Sequence, residues 1–101
     1  MLELNTLYNM DCMQLMAEYP DDYFDLAICD PPYGISKGFT ATSRIAKYAE
    51  RGGLFYANDL KPGADYFKEL FRVSKNQIIW GYNHLSDLLP AAKEFIFWYK
   101  H

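Results

Sequence analysis

The run Asp30-Pro31-Pro32-Tyr33 constrains the fold of this chain more than any other feature, because it ends an apolar stretch abruptly. Residues 24–30 are mostly apolar and predict a buried strand. Two consecutive prolines offer no backbone N–H to a sheet, and they push the preceding residue out of helical geometry. We therefore expect the strand to end at Asp30, with a stiff proline pair between a carboxylate and an aromatic ring. A simple strand-ending turn with an acidic cap is the structural alternative.

The rest of the chain alternates between strand-like and helix-like patterns. We expect strands over residues 3–8, 24–30, 77–80 and 95–99, and helices over residues 12–18, 62–73 and 83–89. This alternation predicts an α/β fold, with a mostly parallel sheet, flanking helices and right-handed crossovers. We expect residues 1–101 to form a single domain in which residues 35–60, rich in small and polar side chains, form a long mobile loop.

Polar groups follow three of the predicted strands. They lie at Asn9 to Asp11, at Asp30 to Tyr33 and at Gly81 to Asn83. Because parallel sheets place their sites outside the carboxyl ends of the strands, we expect these segments to share one rim of the sheet.

The chemistry of the Asp30–Tyr33 motif suits an exocyclic amino group on a nucleobase. Such a nitrogen is a poor nucleophile, since its lone pair is delocalised into the ring. The Asp30 carboxylate and the Pro31 carbonyl, held by Pro32, can each accept one amino hydrogen and so favour a tetrahedral nitrogen. The Tyr33 ring can stack on a base that has left its duplex. Positioning and charge complementarity would then carry most of the catalysis.

Three segments together resemble an amino-directed DNA methyltransferase of the phage and restriction-modification type. They are Leu7 to Cys12, Asp25 to Gly34 and Phe71 to Gly81. The resemblance implies a partial Rossmann-like methyltransferase fold and transfer of a methyl group from S-adenosyl-L-methionine to adenine N6 or cytosine N4 in DNA. Aspartate at the first motif position favours adenine.

The resemblance also assigns roles to individual residues. It makes Asp30, Pro31, Pro32 and Tyr33 catalytic, and it makes Asp11 and Asp30 contacts of the cofactor. An N-cap at the start of a helix is the alternative for Asp11, and both roles can coexist.

The segment after the third strand departs from the family pattern. The family often has two glycines before the asparagine matching Asn83, whereas Tyr82 intervenes here. We interpret His84 as a surface or helix-start histidine rather than a metal ligand, because no histidine or cysteine lies near it in the sequence.

The order of the motifs predicts which part of a methyltransferase this is. The residues before Asp30 contain no glycine, which resembles the subgroup whose catalytic motif precedes its cofactor half, and no Phe-x-Gly-x-Gly pattern occurs. We therefore expect an N-terminal, catalytic-motif portion of a methyltransferase. An inactive remnant, or a partner module that completes a site with another chain, is the alternative. An exposed strand edge in such a portion predicts self-association.

Charge is uneven along the chain, whose net charge is −3. Residues 1–30 hold seven acidic residues and no Lys or Arg, so gross charge does not indicate non-specific nucleic-acid binding. Four basic residues follow the motif and are candidates for DNA phosphate contacts, with a solvated loop as the alternative: Lys37, Arg44, Lys47 and Arg51.

Composition bounds the remaining possibilities. Cys12 and Cys29 lack metal-site spacing, so we expect no metal and two reduced thiols. The chain shows neither a secretory signal nor an apolar run of membrane-spanning length, and we expect a cytoplasmic protein with no membrane partner.

Overall fold

The computed structural model describes residues 1–35 and 60–99, which contain three helices and two strands. In chain order they are α1 (Cys12–Ala17), β1 (Ala27–Cys29), α2 (Ala64–Val73), β2 (Gln77–Ile79) and α3 (Tyr82–Leu85). Within this part of the chain the order of elements agrees with the predicted α/β fold.

The two strands pair in parallel, as the alternating pattern predicts. Ile28 lies opposite Ile78 at the centre of the ladder. An isolated parallel bridge between Phe24 and Ser74 extends the pairing toward the start of β1. At the other end the Trp80 N–H donates to the Cys29 carbonyl at 3.0 Å, so the ladder continues to the start of the proline pair.

Helix α1 begins where its sequence provides a cap. The Asp11 carboxylate accepts a hydrogen bond from the Met13 N–H at 2.8 Å, satisfying one of the amides that a helix start leaves unpaired. The predicted helix over residues 12–18 is confirmed over Cys12–Ala17.

Helix α2 is amphipathic and lies along the core. Its buried face carries Phe67, Leu70 and Val73. The helix begins at Ala64, two residues after Pro62, because the extended Gly63 takes the N-cap position. It ends at Val73, because the backbone of Ser74 is extended. The Ser74 hydroxyl donates a hydrogen bond to the Leu70 carbonyl.

The core lies on one face of the small sheet. Ala27 and Cys29 pack against it, whereas Ile28, on the opposite face, is 65% exposed. The buried members come from the α1 region, α2 and α3: Met16, Tyr19, Phe67, Leu70, Val73 and Leu85.

Arg72 joins the end of α2 to the end of α1. Its guanidinium donates to the carbonyls of Met16 and Tyr19 at 3.0 and 2.9 Å, and it also binds the carboxylates of Glu69 and Asp21. The hydrogen bonds that Arg72 donates to Glu69 and, second, to Asp21 raise the pKa of Arg72. The carbonyls at the end of α1 therefore have a permanently charged donor.

Two predicted strands are wrong. Residues 3–8 and 95–99 form no ladder with any described residue, and their apolar side chains face outward: Leu7 is 99% exposed and Phe95 is 89% exposed. Both segments have a strand-like composition, but a strand also needs a neighbour whose backbone it can pair with.

Two further expectations have partial outcomes. The short helix predicted over residues 83–89 occurs as Tyr82–Leu85. The predicted mobile loop over residues 35–60 lies, apart from its two end residues, outside the described residues. Across the described ranges, no helix has the length and apolarity that crossing a membrane requires.

Candidate functional site

The Asp30–Tyr33 motif lies directly after β1, where the sequence places it. The strand ends at Cys29, and Asp30 is exposed at its carboxyl end. Pro31 is buried while Pro32 is exposed, so one ring of the pair is packed into the protein. This packing fixes the direction in which the chain leaves the sheet.

The two ends of the motif contact each other. The Tyr33 hydroxyl donates a hydrogen bond to Oδ1 of Asp30. Burial first, and then this bond and the negative charge of Asp30, raise the pKa of Tyr33 to about 12. The phenol therefore remains a donor at neutral pH and orients the carboxylate, which keeps both lone pairs of Oδ2 and one of Oδ1 as acceptors.

Gly81 makes room for the Tyr33 ring. It follows β2 and adopts a left-handed conformation, with φ of 72°. A Cβ atom at this position would lie 2.2 Å from Cε1 and 2.3 Å from Cζ of Tyr33, closer than real side chains approach. Both the backbone conformation and the contact therefore require glycine here.

The first turn of α3 completes the surroundings of Tyr33. The His84 imidazole stacks on the Tyr33 ring, with centroids 5.2 Å apart and planes 22° apart. The sequence predicts His84 only as a surface or helix-start residue, and the structure adds its contact with the motif. The sequence feature that could have indicated this contact is the position of His84. It lies three residues after Gly81, in the first turn of a helix that begins on the predicted rim. Asn83 is exposed.

The exit from the motif also has a defined geometry. Gly34 has φ of 72°, and a Cβ atom there would lie 3.3 Å from Cβ of Lys61. Lys61 in turn forms an ion pair with Asp87, with 2.5 Å between Nζ and Oδ1. The chain thus leaves the motif through a left-handed turn against the segment that leads into α2.

Tyr66, on α2, interacts with residues at the end of β1 and at the start of α1. Its side chain interacts with the Cys29 thiol at the end of β1. Its pKa is raised by burial, then by Cys29, and to a smaller extent by Cys12 at the start of α1. Burial also raises the pKa of the Cys29 thiol. The start of α1 and the end of β1 therefore lie on the same side of the molecule, next to one α2 side chain.

The predicted site residues have different outcomes in the structure. Asp30 and Tyr33 are brought together, and Asp11 is seen as the α1 cap. The four basic residues proposed to contact DNA lie outside the described residues: Lys37, Arg44, Lys47 and Arg51. In residues 1–35 and 60–99 no cluster of His, Cys, Asp or Glu has the arrangement of a metal site.

A comparison with curated proteins finds similarity to the type II methyltransferase M.BamHI of Bacillus amyloliquefaciens, with 28% identity over 106 residues. The aligned region covers 95% of this chain and 23% of that protein, so the chain spans less than a quarter of its relative's length. No protein-family model and no solved structure matches the chain. The similarity supports a relationship to methyltransferases.

Proposed function

We propose that this chain supplies the target-base half of a DNA methyltransferase that transfers a methyl group from S-adenosyl-L-methionine to N6 of adenine. The observation that carries the proposal is the contact of Tyr33 with Asp30 at the carboxyl end of β1. A rigid carboxylate and an aromatic ring stand side by side there, as recognition of a base amino group requires. The similarity to a type II methyltransferase supports the methyltransferase part of this proposal and does not bear on the target base.

In the proposed reaction the motif holds both amino hydrogens of the base. Oδ2 of Asp30 accepts one of them, since Oδ1 is bound by Tyr33, and the Pro31 carbonyl accepts the other. The amino nitrogen then has its lone pair free for attack on the methyl carbon. A nitrogen–carbon bond forms as the carbon–sulfur bond breaks with its electron pair on sulfur, and the nitrogen releases one proton, which the Asp30 carboxylate is placed to accept.

The residues assigned to the cofactor fit its chemistry. Asp11 and Asp30 are both exposed carboxylates, and one oxygen of Asp11 remains after the other has accepted from Met13. Carboxylates accept hydrogen bonds from the hydroxyl, amino and ammonium groups that S-adenosylmethionine carries. When bound, the cofactor supplies an electrophilic sulfonium methyl group. This chain's part is to hold the nucleophile in line with it.

The basic residues Lys37, Arg44, Lys47 and Arg51 are proposed to bind DNA phosphates beside the base. Such contacts release counterions, so DNA binding should weaken steeply with salt if they act together. Since DNA and the cofactor meet in the cytoplasm, we propose that compartment as the protein's location.

The direct test is transfer of tritiated methyl groups to DNA, followed by chromatography of the nucleosides. We expect label in N6-methyl-2′-deoxyadenosine with the wild-type protein and with Gln14→Ala, an exposed α1 control, and none with Asp30→Ala. Label in N4-methyl-2′-deoxycytidine would change the target base but keep the role of Asp30. Unchanged transfer by Asp30→Ala would contradict the proposal.

A second candidate, a partner module that completes a site with another chain, is favoured by the exposed apolar surface. Ile28 and the segment from Phe95 to Trp98 present large apolar side chains to solvent. Calorimetric titration with S-adenosylmethionine separates the two candidates. Saturable binding by this chain supports a cofactor site of its own, whereas no binding, restored by a second polypeptide, supports the partner module.

A further inference from the structure

The Tyr33 ring lies across one face of the first turn of α3. Gly81 approaches the ring at Cε1 and Cζ, and His84 stacks on it at a centroid separation of 5.2 Å. Gly81 is the N-cap of α3 and His84 lies in its first turn, so both contacts with the ring come from the start of one helix. Among the described residues, the ring stacked on Tyr33 is His84.

We propose that His84 is a positioning residue for the target base: its imidazole backs one face of Tyr33 so that the base stacks on the other. The proposal rests on the proposed function, because it concerns the same Tyr33 ring. With the base bound, the three rings would form a stack in the order imidazole, phenol and base.

The hydrogen bond to Asp30 cannot fix the plane of the Tyr33 ring by itself. The phenol oxygen lies on the axis through Cβ and Cζ, so rotation of the ring about that axis leaves the oxygen in place. A contact on the ring face is needed to set the plane, and a base needs a set plane to stack at van der Waals distance. The His84 imidazole, only 22° from parallel, supplies that contact.

His84 is itself held firmly enough for this role. Its backbone N–H donates to the Gly81 carbonyl at 2.9 Å, which closes the first turn of α3. The next residue, Leu85, is completely buried in the core and anchors the helix. An imidazole on this anchored turn can resist rotation of the Tyr33 ring, as a freely rotating surface side chain could not.

The test is titration of the isotopically labelled chain with adenosine, and separately with cytidine, followed by nuclear magnetic resonance. Wild type is compared with His84→Phe, which keeps a ring, and with His84→Leu, which fills the space without one. Asp30→Ala reports on base binding, and Gln14→Ala is the control. The amide spectrum of each variant shows whether it is folded. Contacts between the Tyr33 ring and the Gly81 α-protons show whether the ring plane is kept.

We expect His84→Leu to bind nucleoside roughly 3- to 10-fold more weakly and to lose the Tyr33–Gly81 contacts, since a stacked aromatic pair is worth about 0.5–1.5 kcal/mol. His84→Phe and Gln14→Ala should bind like wild type. The ring requirement separates positioning from space filling, because a purely structural role would be met by leucine.

Two results would overturn the inference and are distinguishable. Wild-type affinity in a folded His84→Leu, with Asp30→Ala still weakened, would refute the role of His84 and leave the proposed function standing. Failure of the wild-type chain to bind either nucleoside would refute both proposals.

Discussion

At the scale of single residues, Asp30 and Tyr33 depend on each other. The carboxylate gives the phenol a fixed acceptor, and the phenol gives the carboxylate a fixed orientation. Gly81 makes this possible, because any side chain there would occupy the space of the Tyr33 ring. Three residues from two distant parts of the sequence therefore act as one unit.

The raised pKa of Tyr33 predicts a pH dependence of stability. Tyrosine in the unfolded chain ionises near pH 10, whereas Tyr33 in the folded chain keeps its proton up to about pH 12. Its contribution is therefore complete below pH 10 and is lost as the pH rises to 12, because the folded state binds more protons in that window. We expect the unfolding free energy of Tyr33→Phe, measured in urea at several pH values, to fall less steeply there than that of wild type.

This prediction is tested by the difference between the unfolding free energies of wild type and Tyr33→Phe at each pH. Both retain Tyr66, whose pKa is also raised, so both should lose stability at high pH. Curves for wild type and Tyr33→Phe that stay parallel between pH 10 and 12 would show that Tyr33 has no such contribution.

Residue-scale prediction succeeded where the signal was local. The end of a strand before Pro31 follows from proline chemistry alone, and the Asp11 cap follows from its position before a helix. The stacking of His84 on Tyr33 joins residues 51 positions apart, and no local pattern specifies it. It depends on how α3 packs after β2.

At the scale of elements, α1 is a short helix that relies on its ends. Asp11 caps one end, and Arg72 donates to the carbonyls of Met16 and Tyr19 at the other. A helix of this length has few internal hydrogen bonds and would be unstable alone. Its position beside the rim is therefore set by residues outside it.

Substitutions at Asp11 separate its two assigned roles. Asp11→Ala should destabilise the chain by about 1 kcal/mol through loss of the cap, whereas Asp11→Asn, also a good cap, should change stability little. If Asp11 also contacts the cofactor through its charge, both variants should bind S-adenosylmethionine more weakly. The measurements are urea unfolding and calorimetry. Equal destabilisation by both substitutions would contradict the capping role.

Helices were predicted better than strands for a physical reason. The amphipathic pattern of α2 and the cap of α1 are contained within each helix, so the sequence shows them directly. The segments 3–8 and 95–99 have strand-like composition. A strand also needs hydrogen bonds to a neighbouring strand, and local composition does not specify which segment that is. The pairing of β1 with β2 was predictable because α2 forms the crossover between them.

At the scale of the whole molecule, one face of the sheet is covered and the other is not. The core packs on the side of Ala27 and Cys29, whereas Ile28 projects from the other side. Phe95, Ile96, Phe97 and Trp98 are each at least 64% exposed, and Trp98 makes an edge contact with Trp80 near the end of β2. Contiguous apolar surface of this kind favours association.

We predict concentration-dependent self-association through this apolar segment. The sedimentation coefficient of the wild-type chain should rise with concentration, and the double variant Phe95→Lys, Phe97→Lys should remain monomeric. The matched control is Leu4→Lys, Leu7→Lys, which removes exposed apolar residues elsewhere in the chain. Wild type that stays monomeric at high concentration, or equal loss of association in the control, would contradict the assignment.

The central claim is that Asp30 recognises the amino group of a base. The most direct measurement compares two nucleosides, adenosine and the purine riboside that lacks its amino group, binding to wild type and to Asp30→Ala. A parallel pair, cytidine and its analogue without the 4-amino group, covers the other target base. Wild type should prefer the amino-bearing member of one pair by roughly 10- to 100-fold, since a hydrogen bond to a charged group is worth about 1.5–3 kcal/mol. Asp30→Ala should bind both members of that pair alike, and a preference that survives Asp30→Ala unchanged would contradict the account.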